Sequence, residues 1–217
     1  MIAVKKNNYN IILFDFKLKK KLLDISFHNS YITSVHICKN PLYLNNNKIN
    51  FSSSSFYFLS SSFDKKFALH KISYNNLSSD FSNYKLIAQS MPTKDELNGV
   101  IQIENGQILV AARDQRLILF DNKIKDGKFK KLLEMKKKWP MEVFSLFEIR
   151  NNLIGAIWKF DDAEADITYK VGRKMHNHHL NDGIYIYLIN NNIIIQKHIL
   201  RHRIYERNFF FLLRKIN

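Results

Sequence analysis

Apolar and polar residues alternate with a period of two along most of this chain, which is the pattern of β-strands packed on a core. The clearest stretch is residues 58–72, FLSSSFDKKFALHKI, in which two apolar strands flank a polar turn at 63–66. Turn residues recur roughly every eight to twelve positions, and helical periodicity is absent. The pattern predicts an all-β protein made of short antiparallel strands.

A strand–turn–strand unit of this kind recurs along the chain, at 2–16, 58–72 and 108–122. Each copy has a polar turn and a second strand that ends in an aromatic or imidazole ring. The turn residues are Asn8, Asp64 and Asp114, and the rings are Phe14, His70 and Phe120. This self-similarity indicates a repeat architecture.

Flanking strands extend the later units to four strands in the order a, b, c, d, whereas the first unit is predicted to begin at strand b. Inner strands (a) are predicted at 32–37, 100–103 and 143–149, and outer strands (d) at 21–26, 84–89 and 131–135. A less regular fourth unit has strands at 153–159, 183–189 and 193–199. Polar insertions at 39–55 and 161–182 are expected to be mobile loops. The predicted units are 1–28, 29–90, 91–138 and 139–200.

Four residues in and before the unit at 58–72 give the chain a resemblance to WD40 repeats. His28, Ser60 and Asp64 stand at the positions of the family's histidine, hydroxyl and turn aspartate, and His70 stands at the position of its tryptophan. The resemblance implies a β-propeller of about four four-stranded blades. It also implies a structural tetrad, a hydrogen-bond relay from Asp64 to His28, Ser60 and position 70. In the unit at 108–122 only Asp114 remains of this set.

The terminal segment 201–217 contains a further apolar stretch at 208–213. In propellers a terminal strand commonly completes the first blade, so this stretch is a candidate closure strand beside residues 1–4. The alternative is that the chain is a fragment of a larger WD40 propeller.

The chain has 217 residues and a formal net charge of +15, from 34 Lys and Arg against 19 Asp and Glu. Lysine runs at 19–21 and 136–138, with Arg201, Arg203, Arg207 and Arg214, are candidates for binding a polyanion. Abundant Asn, Lys, Ile, Phe and Tyr also fit an AT-rich coding sequence, so the charge alone names no partner. The single cysteine, Cys38, and the absence of a secretory signal predict an intracellular protein, cytoplasmic or nuclear.

Catalytic and metal-binding motifs are weak. His176, His178, His179 and Asp182 follow several acidic residues, but their spacing matches no specific metal motif, so a solvated loop is favoured. His28 is better explained as a structural imidazole, and Cys38 as an ordinary thiol. We therefore predict no enzyme activity, cofactor or metal.

In WD40 repeats the residue before the turn aspartate faces the top surface, which indicates Phe63 and Arg113 as partner contacts. The resemblance implies a non-enzymatic scaffold that mediates protein–protein interactions within a complex. The alternative is a basic, RNA-associated propeller subunit of an RNA-processing or ribosome-assembly complex. In neither case is membrane insertion expected.

Overall fold

The computed structural model describes residues 2–4, 9–15, 19–49, 55–73, 83–136, 141–150, 152–160, 183–190 and 193–201. Within these ranges the chain forms strands and turns and no helix, which confirms the predicted all-β class. Accordingly, no helix in the described residues is suited to crossing a membrane. In chain order the strands are β1 (Ile2–Val4), β2 (Asn10–Asp15), β3 (Lys20–Ser26), β4 (Ile32–Ile37), β5 (Tyr43–Leu44), β6 (Asn47–Lys48), β7 (Ser55–Ser62), β8 (Phe67–Ser73), β9 (Asn83–Gln89), β10 (Leu97–Gln102), β11 (Ile108–Ala112), β12 (Arg116–Lys125), β13 (Lys128–Lys136), β14 (Met141–Arg150), β15 (Leu153–Phe160), β16 (Gly183–Asn190) and β17 (Ile193–Arg201).

The strands form four successive antiparallel meanders. The first is β1-β2-β3, the second β4-β7-β8-β9, the third β10-β11-β12-β13 and the fourth β14-β15-β16-β17. This order follows the a, b, c, d order predicted from the sequence. Several strands are longer than predicted; β10, for example, begins at Leu97 and passes through Asn98 and Gly99, which are poor strand formers.

The second meander has an apolar neighbour on each face. Leu59 and Leu69 point into a core shared with the third meander. Phe58 precedes Leu59 by one residue in β7, and Ile72 follows Leu69 by three residues in β8. Both therefore point to the other face of the sheet, where they pack with residues of the first meander such as Leu13. Burial on both faces explains why β7 and β8 are almost continuously buried instead of alternating with exposed positions.

The third meander repeats this arrangement. Val110 faces the core shared with the second meander, whereas Leu109 faces a second core shared with the fourth. The largest buried side chains of that second core are Trp158 and Tyr187. The four meanders therefore stack face to face in chain order.

The second and third meanders join into one ten-stranded sheet through a parallel bridge between Lys128 and Gln89. The short strands β5 and β6 belong to the same sheet because β5 pairs with β12. The end strands of this sheet, β4 and β10, lie side by side, and the Val100 N–H donates to Ser34 Oγ at 2.9 Å. The sheet is therefore barrel-like and nearly closed. Strand β14 lies on the other side of β10, so the first strands of three meanders are neighbours.

The insertion at 39–55 is not wholly the mobile loop predicted from its polar sequence. Strands β5 and β6 form a hairpin whose turn residues Asn45 and Asn46 adopt φ values of 49° and 67°. The Asn45 N–H donates to the Ile124 carbonyl at 2.8 Å, which fixes the hairpin against β12. The predicted loop at 161–182 and the closure segment at 208–213 lie outside the described residues.

Candidate functional site

The four residues of the predicted tetrad are in contact. Asp64 Oδ2 lies 2.9 Å from His28 Nδ1, and His28 Nε2 lies 2.7 Å from Ser60 Oγ. Ser60 Oγ is also 2.7 Å from His70 Nε2. The relay continues to Tyr84, whose hydroxyl is 3.1 Å from His70 Nδ1. Sequence reasoning did not foresee this last member, because Tyr84 belongs to the outer strand and no motif marks it.

The local fold explains how these side chains meet. Asp64 lies in the β7–β8 turn, where Lys65 adopts a φ of 69° and the Lys66 N–H donates back to Asp64 Oδ1 at 3.0 Å. His28 lies in the segment before β4, and the Asn29 N–H donates to Asp64 Oδ2 at 3.1 Å. The relay therefore ties the β3–β4 connection to the three strands β7, β8 and β9.

One assignment of protons satisfies every member of the relay with both imidazoles neutral. Tyr84 donates to His70, His70 donates to Ser60, Ser60 donates to His28, and His28 donates to the Asp64 carboxylate. Burial lowers the pKa of His70 from 6.5 to about 3, which agrees with a neutral ring. Burial would raise the pKa of Asp64, but the hydrogen bonds from His28, Asn29 and Lys66 hold it below its usual value.

The Asp64–His28–Ser60 segment has the order of contacts found where a serine is activated for nucleophilic attack. Its surroundings differ from such a site. Ser60 has 0% of its surface exposed, and its hydroxyl oxygen is shared with a second imidazole. Phe58 stacks on His70 with ring centroids 4.7 Å apart, which encloses the relay further. The geometry therefore suits cross-linking of strands better than attack on a substrate.

The equivalent turn of the third meander uses different chemistry. Arg116, the counterpart of Lys66, is buried and contacts Asp114 through Nε at 2.7 Å and again through Nη2. Its Nη1 donates to Glu134 on the neighbouring strand at 3.0 Å. The Asp114 and Glu134 carboxylates raise the pKa of Arg116 above its usual value against the opposing effect of burial. An ion-pair cluster thus occupies the place that the polar relay has in the second meander.

The two predicted partner contacts, Phe63 and Arg113, line one open groove of about 1020 Å³. We call this the central groove; its walls come from β4, β10, β14 and the two turns that carry Phe63 and Arg113. Tyr31 and Phe144 also line it, each with 54% of its surface exposed. Phe63 is half-buried instead of fully exposed, because its ring packs edge-on against Tyr31 at 6.3 Å between centroids.

A β-bulge shapes each of the three strands that line the central groove. The strand register shifts between Ile32 and Ser34 in β4, between Leu97 and Gly99 in β10, and between Val143 and Ser145 in β14. The extra residues at these bulges are Thr33, Asn98 and Phe144, and all three line the groove. A bulge re-aims side chains relative to the regular alternation. The sequence at each bulge follows one pattern, an apolar residue, any residue, a small residue and an apolar residue, at 32–35, 97–100 and 143–146.

Carboxylates position the arginine of the groove. Arg113 Nη1 lies 2.9 Å from Glu96 Oε2, and its Nε lies 3.6 Å from Glu142 Oε2. Arg113 remains 51% exposed in its side chain. The groove therefore combines exposed aromatic rings with a fixed network of one guanidinium and two carboxylates.

Other predicted residues are less informative. Lys20 and Lys21 are exposed at the start of β3, and Lys21 pairs with Asp24 at 3.1 Å. The described residues contain no cluster of three His, Cys, Asp or Glu arranged for a metal. The histidine cluster at 176–179, Asp182, residues 137–138, and Arg203, Arg207 and Arg214 lie outside them, as does the side chain of Arg201. Burial raises the pKa of the Cys38 thiol, as expected for an unreactive cysteine.

No protein-family model matches this chain, and the curated proteins contain no significant match to it.

Proposed function

We propose that this protein is a non-enzymatic scaffold that binds a protein partner in the central groove. The observation that carries the proposal is the grouping of Tyr31, Phe63 and Phe144 with Arg113 along one open groove of about 1020 Å³. Aromatic residues and arginine are enriched at the energetically dominant positions of protein interfaces. The polar groups of the same groove would orient the bound segment.

Rigid display is the proposed mechanism. The groove is lined by strands and tight turns whose positions are fixed by the relay and by the cores between meanders. A preformed surface loses little conformational entropy on binding, which favours affinity. In this mechanism the relay has a structural role, which the complete burial of Ser60 supports.

The arrangement also supports a propeller similar to WD40 repeats, with the four meanders as its blades. Three meanders have four antiparallel strands, their first strands are neighbours, and their faces stack in chain order. These are the relations between consecutive blades around a central channel. The relay of Asp64, His28, Ser60 and position 70 occupies one blade and its preceding connection, as the resemblance implies.

The proposal can be tested by cross-linking from the groove. A photoreactive amino acid at position 144 would capture the partner, which is then purified and its affinity for the chain measured. Phe144→Ser and Arg113→Ala should each weaken binding by about tenfold or more, the effect of losing an interface residue worth over about 1.4 kcal/mol.

Ile193→Ser is the matched control, because Ile193 is 56% exposed on the outer strand β17, away from the groove. This variant should bind with unchanged affinity. Equal affinity of the partner for all three variants, or equal cross-linking from position 193, would refute groove binding.

A further inference from the structure

Exposed lysines cover one face of the β12–β13 hairpin. Ile124 and Phe129 are paired across the two strands and are buried in the core between the second and third meanders. The residues that flank Ile124 and Phe129 in the sequence point away from this core and are exposed. These exposed residues are Lys123, Lys125, Lys128 and Lys130.

The positive charges on this face are held close together. Lys125 and Lys128 are directly opposite each other in the strand register. Like charges in this position repel and destabilise a sheet. In the described part of the chain none of the four lysines forms an ion pair. Of the adjacent carboxylates, Asp121 accepts the Lys123 backbone N–H at 3.3 Å, and Asp126 lies in the hairpin turn.

The β5–β6 hairpin places an aromatic ring beside these lysines. Tyr43 is the parallel partner of Lys123, and Leu44, the next residue, is the partner of Ile124 and packs on the core. Tyr43 therefore lies on the same side of the sheet as the lysines. Its other neighbour is the exposed Lys48.

Hydrogen bonds between the two turns fix this edge. The Asn45 N–H donates to the Ile124 carbonyl at 2.8 Å, and Asn45 Oδ1 accepts the Asp126 N–H at 3.1 Å. The half-buried ring of Tyr43 is thus held in line with the charged strands. We call the combined surface the lysine face; it consists of Tyr43, Lys48, Lys123, Lys125, Lys128 and Lys130.

We propose that the lysine face binds single-stranded nucleic acid. Lysines neutralise phosphates and release counterions whatever the base sequence. A ring set among them offers a stacking surface for an unpaired base, which is the usual combination in proteins that bind single strands. An acidic peptide would use the charges but not the ring. The inference is independent of the central groove, because the two surfaces share no residue.

Fluorescence anisotropy with labelled oligouridine RNA and oligothymidine DNA, each of about 12 nucleotides, tests the proposal on the full chain. Replacing the four hairpin lysines with glutamine (K123Q, K125Q, K128Q and K130Q together) should weaken binding at least about tenfold. It should also reduce the slope of log affinity against log salt by roughly 2 to 3, since each phosphate contact contributes about 0.7 for a single strand. A preference for RNA over DNA would identify RNA as the natural ligand.

The matched control replaces four exposed lysines outside the lysine face and outside the runs at 19–21 and 136–138 (K65Q, K85Q, K94Q and K197Q), which lowers the net charge by the same amount. Tyr43→Leu should weaken binding about 5- to 150-fold and leave the salt slope unchanged, because stacking involves no counterion. Tyr9→Leu, at an exposed tyrosine outside both the lysine face and the central groove, should have no effect.

Equal losses for the two quadruple variants would overturn the proposal, since net charge alone would then explain binding. So would unchanged affinity of Tyr43→Leu, or tighter binding to duplex or to anionic phosphatidylserine vesicles than to either single strand.

Discussion

Replacing Asp64 with alanine tests how much the relay contributes to the stability of the protein. The carboxylate accepts hydrogen bonds from the buried His28 ring at 2.9 Å and from the backbone of Asn29 and Lys66. The His28 side chain has 0% exposure, so its Nδ1–H would lose its partner without access to water. An unsatisfied buried donor costs about 1 to 3 kcal/mol. The two backbone groups belong to a turn and an exposed connection, where water replaces the lost acceptor at small cost.

We therefore expect Asp64→Ala to reduce the free energy of unfolding by about 1 to 3 kcal/mol. At about 2 to 4 °C per kcal/mol for a domain of this size, Tm should fall by roughly 2 to 12 °C. Denaturant titration and thermal scans measure the two quantities.

Asp24→Ala is the control for this variant, because Asp24 is exposed and pairs with Lys21 at the surface. Its loss should cost less than about 0.5 kcal/mol. If Asp64→Ala were no more destabilising than Asp24→Ala, the relay would contribute nothing to stability and Asp64 would be an ordinary turn residue.

Two further predictions concern stability. His70 remains neutral in the folded protein but is protonated in the unfolded chain below about pH 6.5, so the free energy of unfolding should fall as pH decreases from 6.5 towards 3, by up to about 1.4 kcal/mol per pH unit. His70→Phe, which introduces the ring found at Phe120, should flatten this pH profile in denaturant titrations. An unchanged profile would show that His70 is not its source. Gly155→Ala should cost about 1 to 3 kcal/mol because the added methyl group meets the ring of Phe147, its partner across β14 and β15, whereas Gly99→Ala has open space and should be nearly neutral. Equal melting temperatures for the two variants would contradict the contact between the Phe147 ring and Gly155.

The contacts of the relay were largely predictable because the resemblance to WD40 repeats implies them. Asp64, Ser60 and His70 belong to one strand–turn–strand unit, whereas His28 lies 36 residues before Asp64 and was assigned only through the resemblance. Tyr84 was not predictable, since it reaches the relay only through the pairing of β8 with β9. The same limit applies to the ion-pair cluster of Arg116, which depends on the partner strand that carries Glu134.

The central groove was predicted only in part. Phe63 and Arg113 occupy equivalent turn positions, but the exposed side chain of Phe144 results from a bulge that interrupts the expected alternation. The β5–β6 hairpin was missed for a related reason. Its Asn-rich sequence reads as a polar loop, whereas asparagine is one of the few residues that readily adopts the positive φ values of this turn.

Hydrogen–deuterium exchange on the chain, alone and with its purified protein partner, tests the proposed scaffold most directly. We predict that partner binding slows exchange in β4, β10, β14 and the turns at 63–66 and 113–115, because these segments form the central groove. The outer strands β9, β13 and β17 should exchange as in the free protein. Protection confined to the outer strands, with none in the groove segments, would contradict the account.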